Sequence, residues 1–176
     1  YALRAAAQAR TLFSLEVAER QYRIAQRGAS DAPTSIRFRI AEGLGDTLML
    51  RGHYAAAAPL FEQAASLAEG SLAKAQIQRK LAELSFKRGD MEGATLGFET
   101  SLRTLGRFVP NSMPLIVVFL LWETTVQFMH TLLPCLMVNR VKRPPSEAER
   151  LAMHLFSLLA HGCWYCRSKI QCLWAH

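Results

Sequence analysis

Residues 44–64 read LGDTLMLRGHYAAAAPLFEQA, and residues 81–101 read LAELSFKRGDMEGATLGFETS. The two segments align at an offset of 37 residues, and each has a glycine followed by an alanine after five positions and a phenylalanine after nine. A repeat of this length is typical of a two-helix unit, in which a glycine between helical runs marks the turn. The stretch from Ile36 to Gly106 therefore predicts two helical hairpins that bury their apolar faces against each other.

Small residues at matching places in the two copies predict where helices cross. Gly45 and Ala82 each stand seven positions before the turn glycine. A small side chain lets two helix backbones approach closely, and an aromatic ring then fills the space beside it. We therefore expect Phe61 and Phe98 to pack next to these crossings.

This pattern resembles the tetratricopeptide repeat, whose usual signature is Leu-Gly, then Gly-x-Tyr, Ala, an aromatic and Ala. The first copy, residues 38–71, matches at Leu44, Gly45, Gly52, Tyr54, Ala57, Phe61 and Ala64. The second copy, residues 75–105, keeps Leu81, Ala82, Gly89, Ala94 and Phe98, has Met91 and Ser101 at the other two positions, and like the first lacks the closing proline. The resemblance implies an all-α fold of antiparallel helical hairpins stacked as a tetratricopeptide-type α-solenoid.

The remaining segments extend this organisation. Residues 1–28 carry Leu12, Leu15, Ala18, Tyr22 and Ala25 at helical spacing and are predicted to be a partial, degenerate repeat. Hairpins at residues 36–71 and 72–106 follow. After them come an apolar helical segment at 112–138, a linker at 139–145 and a truncated hairpin at 146–176, which opens on a serine cap and acidic residues. No stretch alternates with period two, so no strand is expected.

The arrangement is also similar to a region of large bacterial signalling proteins. The segments AEGLGD (residues 41–46) and KRGDM (residues 87–91) resemble the helical arm that follows the ATPase module in multidomain serine/threonine kinases, class III nucleotide cyclases and activators of the maltose-regulator type. The resemblance implies a regulatory arm of a larger switch. The chain begins at Tyr1 and ends at His176 in mid-pattern, which we interpret as a slice of a longer array.

The apolar segment and the cysteines bear on the compartment. The run from Met113 to Trp122 is too short to span a bilayer, so we expect a buried helix of the stack at 115–130. We expect Trp122, Phe128, Trp164 and Trp174 to be core or inter-repeat anchors rather than a ligand-stacking surface. The four cysteines do not form the pattern of a secreted disulfide framework, and residues 1–28 lack the apolar core of a signal peptide. We therefore predict a cytoplasmic protein that does not associate with a membrane.

The net charge of +7 raises the question of whether the chain binds nucleic acid. The basic residues are scattered over every segment, and the nearest approach to a cluster is Arg140, Lys142 and Arg143, which precede two prolines. A solvated loop explains that cluster better than a phosphate-binding arm. A nucleic-acid-binding helical array stays as a weaker alternative.

No catalytic motif is recognisable, and we predict neither an enzyme nor a cofactor. The tail contains a possible zinc set, formed by Cys163, Cys166, Cys172 and His176. The helical pattern of this tail places Cys172 on a different side from the other two cysteines. Buried, apolar cysteines at packing positions are therefore the favoured interpretation, and no metal is predicted.

A binding surface is what remains. In the tetratricopeptide repeat the first helix of each hairpin lines the concave groove, which implies the following partner-binding candidates here: Arg39, Glu42, Asp46, Met49, Gln76, Arg79, Glu83, Phe86 and Lys87. The set mixes signs and differs from the Lys/Asn clamp that some relatives use for peptide carboxylates. The alternative is a solvated helix face with pairs such as Arg79–Glu83.

The sequence thus predicts an interaction or regulatory scaffold within a larger cytoplasmic signalling protein. Its partner would be a protein, a peptide or an adjacent domain of the same polypeptide. The alternative function is homo-oligomerisation through the apolar surface of residues 115–136.

Overall fold

The computed structural model describes residues 1–110, 112–132, 144–166 and 169–175, except for the side chains of 166 and 169–171. Every regular element in these ranges is an α-helix, which confirms the all-α prediction. The helices are α1 (Ala2–Thr11), α2 (Leu15–Arg27), α3 (Thr34–Leu50), α4 (Tyr54–Leu67), α5 (Gly70–Lys87), α6 (Met91–Thr104), α7 (Met113–Leu132), α8 (Glu147–Cys166) and α9 (Lys169–Ala175).

Three hairpins, α1–α2, α3–α4 and α5–α6, close with the same turn. One residue in each turn has a positive φ: Phe13 at 55°, Gly52 at 79° and Gly89 at 86°. The next backbone N–H donates to the carbonyl five residues earlier and so closes the preceding helix. These bonds run from Ser14 to Ala9, from His53 to Leu48 and from Asp90 to Ser85, at 2.9 to 3.0 Å.

The first hairpin turns without a glycine. The predicted helix through Leu12 and Leu15 is wrong at its start, because α2 begins at Leu15 and Leu12 lies in the turn, 72% exposed. Phe13 stands nine residues before Tyr22, as Gly52 stands before Phe61. A left-handed conformation costs a residue with a Cβ about 1–2 kcal/mol. The fold therefore turns here at a position that carries no glycine signal.

The crossings contain the small residues that the sequence predicts. A Cβ added to Gly45 on α3 would lie 2.7 Å from Cε1 of Phe61 on α4, whose side chain is fully buried. A Cβ on Gly97 of α6 would lie 2.6 Å from the Cβ of Ala82 on α5. Close backbone approach within these two hairpins therefore depends on the absence of side-chain atoms.

The stack resumes at α8 rather than at α7. α8 packs on α6 as α3 packs on α2 and α5 on α4, and α9 then packs on α8. Gly162, near the end of α8, faces Thr95, near the start of α6, and a Cβ added to this glycine would lie 2.7 Å from the threonine Oγ1. The two helices are therefore antiparallel neighbours, and α7 stands outside the stack.

α7 is a continuous helix, as predicted, but the prediction that it is buried is wrong. Ile116 is the buried residue of this helix. Trp122 and Phe128, expected as core or inter-repeat anchors, are 66% and 63% exposed, and Trp164 on α8 is 59% exposed. Trp174 alone of that set packs inward in part, edge-on to Phe156 with 5.7 Å between ring centres. The apolar composition indicated that this segment forms a helix, but it did not indicate whether another part of the protein covers that helix.

α7 is also longer than the apolar run on which the membrane argument rested. It has 20 residues and a mean hydropathy of 1.5 over its most apolar 18-residue window, of which 6% is buried. By length and composition it could cross a bilayer. The predicted continuation of this segment to 138 and most of the predicted linker lie outside the described residues.

Glu19 on α2 ties the first two hairpins together. Its carboxylate accepts hydrogen bonds from Arg23, at 2.9 Å, and from Arg51 at the end of α3. Burial, the largest influence, raises the pKa of Glu19, but the hydrogen bonds and charges of the two arginines outweigh it. The pKa of Glu19 therefore lies below its ordinary value of 4.5.

We expect Glu19→Gln to lower the free energy of unfolding at neutral pH by about 1–2 kcal/mol. Because the folded-state pKa is depressed, this contribution is fully present above the unfolded pKa of 4.5 and is lost as the pH falls through the folded value. Thermal unfolding of both proteins from about pH 3 to pH 7 measures it. The two melting temperatures should converge on acidification, and a constant difference would contradict the assignment.

Candidate functional site

The first helices of successive hairpins share one side of the molecule. We name this side the first-helix face and define it by these residues: Arg10 of α1, Glu42 and Asp46 of α3, Gln76, Arg79, Lys80, Glu83, Phe86 and Lys87 of α5, and Glu147, Arg150, Leu151, His154, Leu158 and His161 of α8. Ion pairs join α1 to α3 and α3 to α5, and clefts separate α5 from α8.

Lys80 on α5 is the centre of the ion pairs. Its Nζ lies 2.8 Å from Oε1 of Glu42 and 2.8 Å from Oδ1 of Asp46, and 5.9 Å from the centre of the Phe61 ring. Arg10 donates to Oδ2 of the same Asp46 at 2.7 Å. The side chains of Lys80 and Asp46 are 11% and 18% exposed, so water weakens these pairs little.

The four α3 candidates have different surroundings. Glu42 and Asp46 are engaged by Lys80, so that they hold neighbouring hairpins together. Met49 packs against the buried cluster around Phe61, and Arg39 is exposed. This half of the predicted groove is largely a junction between hairpins.

The α5 candidates line two clefts between α5 and α8. Gln76 and Arg79 line a cleft of about 450 Å³, and α8 supplies the opposite wall. The α8 residues in this cleft are Glu147, Arg150, Leu151 and His154. Arg79 forms the predicted pair with Glu83, while its buried Nε has no hydrogen-bond partner among the described residues. The first cleft thus presents the guanidinium groups of Arg79 and Arg150 beside the carboxylate of Glu147.

A second cleft, of about 430 Å³, continues the first along α5. Its walls are Glu83, Phe86, Lys87, Phe98, Leu158 and His161. Phe86 lies edge-on to Tyr165 of α8, with 6.5 Å between ring centres. The structure thus brings all five α5 candidates into two adjoining clefts, one polar and one in which Phe86, Phe98 and Leu158 supply an apolar part of the wall.

Sequence reasoning missed Lys80 and the whole contribution of α8. Lys80 stands 37 residues after Gly43, so it has the place in α5 that Gly43 has in α3. Gly43 packs against the Tyr22 ring of the preceding hairpin, and Lys80 lies over the corresponding Phe61. A charged residue at a position that faces an aromatic ring was the available signal.

The tail shows no assembled metal centre in the ranges that the structure describes. Cys163 is buried and Cys172 half-buried, while the Cys166 side chain and His176 lie outside the described part. No three His, Cys, Asp or Glu side chains among the described residues come together as ligands.

Comparison with known proteins gives no further guide to function. No protein-family model matches the chain, and no curated protein matches its sequence.

Proposed function

We propose that the chain is a tetratricopeptide-type α-solenoid segment that binds a protein, a peptide or a neighbouring domain on its first-helix face. It would act without catalysis, as a regulatory scaffold inside a larger cytoplasmic signalling protein. The observation that carries this proposal is the pair of clefts between α5 and α8, which together are lined by all five α5 residues predicted to bind a partner.

The recurrence of hairpin geometry supports the solenoid. Ala6, Gly45 and Ala82 each stand seven residues before a turn residue of positive φ, and each is buried. Each hairpin packs on the one before it. Stacked units of this kind present an extended face made by one helix of each unit, and such faces bind partners in repeat proteins.

The clefts also suggest the chemistry of the partner. Arg79 and Arg150 favour an acidic group in the first cleft, and Phe86 and Leu158 favour an apolar side chain in the second. Arg79 and Phe86 are seven residues apart, which is about 10 Å along a helix. A peptide in the polyproline II conformation advances about 3.1 Å per residue with three residues per turn, so acidic and apolar side chains three residues apart would lie about 9 Å apart on one side of it.

The test is a charge swap that preserves the internal pair, Arg79→Glu combined with Glu83→Arg. The swapped residues still pair at i,i+4, in the order that suits a helix better, so the fold should be kept. We expect the partner captured from native lysate by the wild-type chain to be retained about tenfold less well by the swapped chain.

A matched swap on the second helix of the same hairpin is the control. Glu99 and Arg103 form an i,i+4 pair on α6, and Glu99→Arg with Arg103→Glu should leave capture unchanged. Equal loss with both swapped chains, or none with either, would contradict binding in the clefts.

A further inference from the structure

α7 carries an exposed apolar stripe. Its most exposed large residues are Val118, Leu121, Trp122, Phe128 and Leu132, each between 59% and 66% exposed. With Thr125 and Met129 they follow a spacing of three and four residues, which places them on one side of the helix. We name these seven residues the α7 stripe.

The opposite side of α7 faces the protein. Leu120, Glu123 and Gln127 line a cavity of about 580 Å³ whose other walls come from α8 and α9. Ile116, the buried residue of α7, has the same helical phase. The orientation of α7 is therefore fixed with its most apolar side away from the stack.

The stripe is large for a surface left in water. The exposed fractions of its side chains correspond to roughly 600–800 Å² of apolar surface, whereas the largest patch on a typical monomer is about 300–600 Å². A standard protein interface covers about 800 Å² on each partner. The stripe therefore has the area of one side of a stable interface.

The polar residues of α7 favour a protein over a bilayer as the cover. Glu123 lies at the middle of the helix, so a spanning orientation would place its carboxylate at the bilayer centre, at a cost of about 2.5–3.5 kcal/mol. Thr124 and Gln127 beside it are also exposed. The stripe contains Thr125 as its one polar residue and no charge, which suits a dry contact between helices.

We propose that the stripe pairs with the same stripe of a second copy, antiparallel, about a two-fold axis at Thr125. The spacing of the seven residues is symmetric about that position. Rotation brings Trp122 opposite Phe128, Leu121 opposite Met129 and Val118 opposite Leu132, with the two Thr125 side chains at the axis. Because the stripe has no charged residue, no like charges meet in this isologous contact. The pairing is independent of binding on the first-helix face.

Sedimentation equilibrium of the complete chain tests the pairing. We expect the wild-type chain to dimerise at micromolar concentration, and Leu121→Lys to raise the dissociation constant by at least about 100-fold, since symmetry introduces the lysine twice. Leu96→Lys is the matched control, because Leu96 is 48% exposed on α6, away from the stripe. Both leucines are substantially exposed, so circular dichroism should show an unchanged fold.

Disulfide trapping tests the antiparallel arrangement. A mixture of Val118→Cys and Leu132→Cys chains should form a crosslinked dimer that the wild-type chain does not form, while each variant alone should not. Crosslinking of Val118→Cys with itself would overturn the antiparallel geometry. A monomeric wild-type chain, or a dimer that survives Leu121→Lys, would overturn the pairing itself. The stripe would instead be a membrane-binding surface if the chain does not dimerise but sediments with vesicles of zwitterionic and anionic phospholipid, and if this sedimentation requires Trp122.

Discussion

Gly45→Ala should lower the free energy of unfolding by about 1–3 kcal/mol, even though alanine is favoured over glycine in a helix by about 1 kcal/mol. The added Cβ would lie 2.7 Å from Cε1 and 2.9 Å from Cδ1 of Phe61. Phe61 is fully buried between its own hairpin and the next, so the ring has no free space into which it can move. Relief requires that α3 and α4 separate.

The sign of this effect should reverse when the ring is removed. Phe61→Ala alone should cost about 3–5 kcal/mol, through lost burial and the cavity that remains. In that background Gly45→Ala meets no ring and gains helix propensity, so it should be neutral or stabilising by up to about 1 kcal/mol. Urea unfolding of the wild-type chain, the two single variants and the double variant gives the coupling free energy between positions 45 and 61. Additive losses would show that the close approach at Gly45 does not depend on Phe61.

Lys80→Met should cost about 2–4 kcal/mol, because it leaves the carboxylates of Glu42 and Asp46 largely buried with fewer cations. Asp46 keeps Arg10, whereas Glu42 has no other ion pair in the described part of the chain. The control is Lys74→Met at an exposed position of the same helix, which should change stability by less than about 0.5 kcal/mol.

Removing the unpaired Glu42 carboxylate should restore part of the stability that Lys80→Met loses. Glu42→Met in the Lys80→Met protein replaces an unpaired carboxylate with an apolar side chain, and we expect it to recover at least about 1 kcal/mol. Urea unfolding of the single and double variants measures the recovery. If Lys80→Met costs no more than Lys74→Met, the ion pairs do not hold the hairpins together.

The hairpins could be predicted from the sequence because their signals are local. Gly52 and Gly89 stand at turns, and the spacing from each to the following aromatic residue is fixed by the helix period. The hairpins predicted at 36–71 and 72–106 correspond in the structure to α3–α4, from Thr34 to Leu67, and to α5–α6, from Gly70 to Thr104. The Arg79–Glu83 pair was equally accessible, since an i,i+4 pair needs no knowledge of the stack.

The parts that were missed depend on contacts between distant segments. Lys80 acquires its role from Glu42 and Asp46, which belong to the preceding hairpin. The surroundings of α7 depend on the docking of α8 against α6, which no local pattern encodes. The turn at Phe13 was missed for a different reason. The packing of α1 on α2 determines this turn, although phenylalanine is disfavoured at a positive φ.

The packing of α8 directly on α6 has an evolutionary consequence. Since the two helices are antiparallel neighbours, the chain leaves the array after Thr104 and re-enters it at Glu147 close to the same point. An insertion between two adjacent points can grow, shrink or be exchanged while the units on either side keep their register. Changes in α7 can then leave the clefts unaltered, whereas Leu105 and Val109 pack in the buried cluster shared by α6 and α8 and are less free to change.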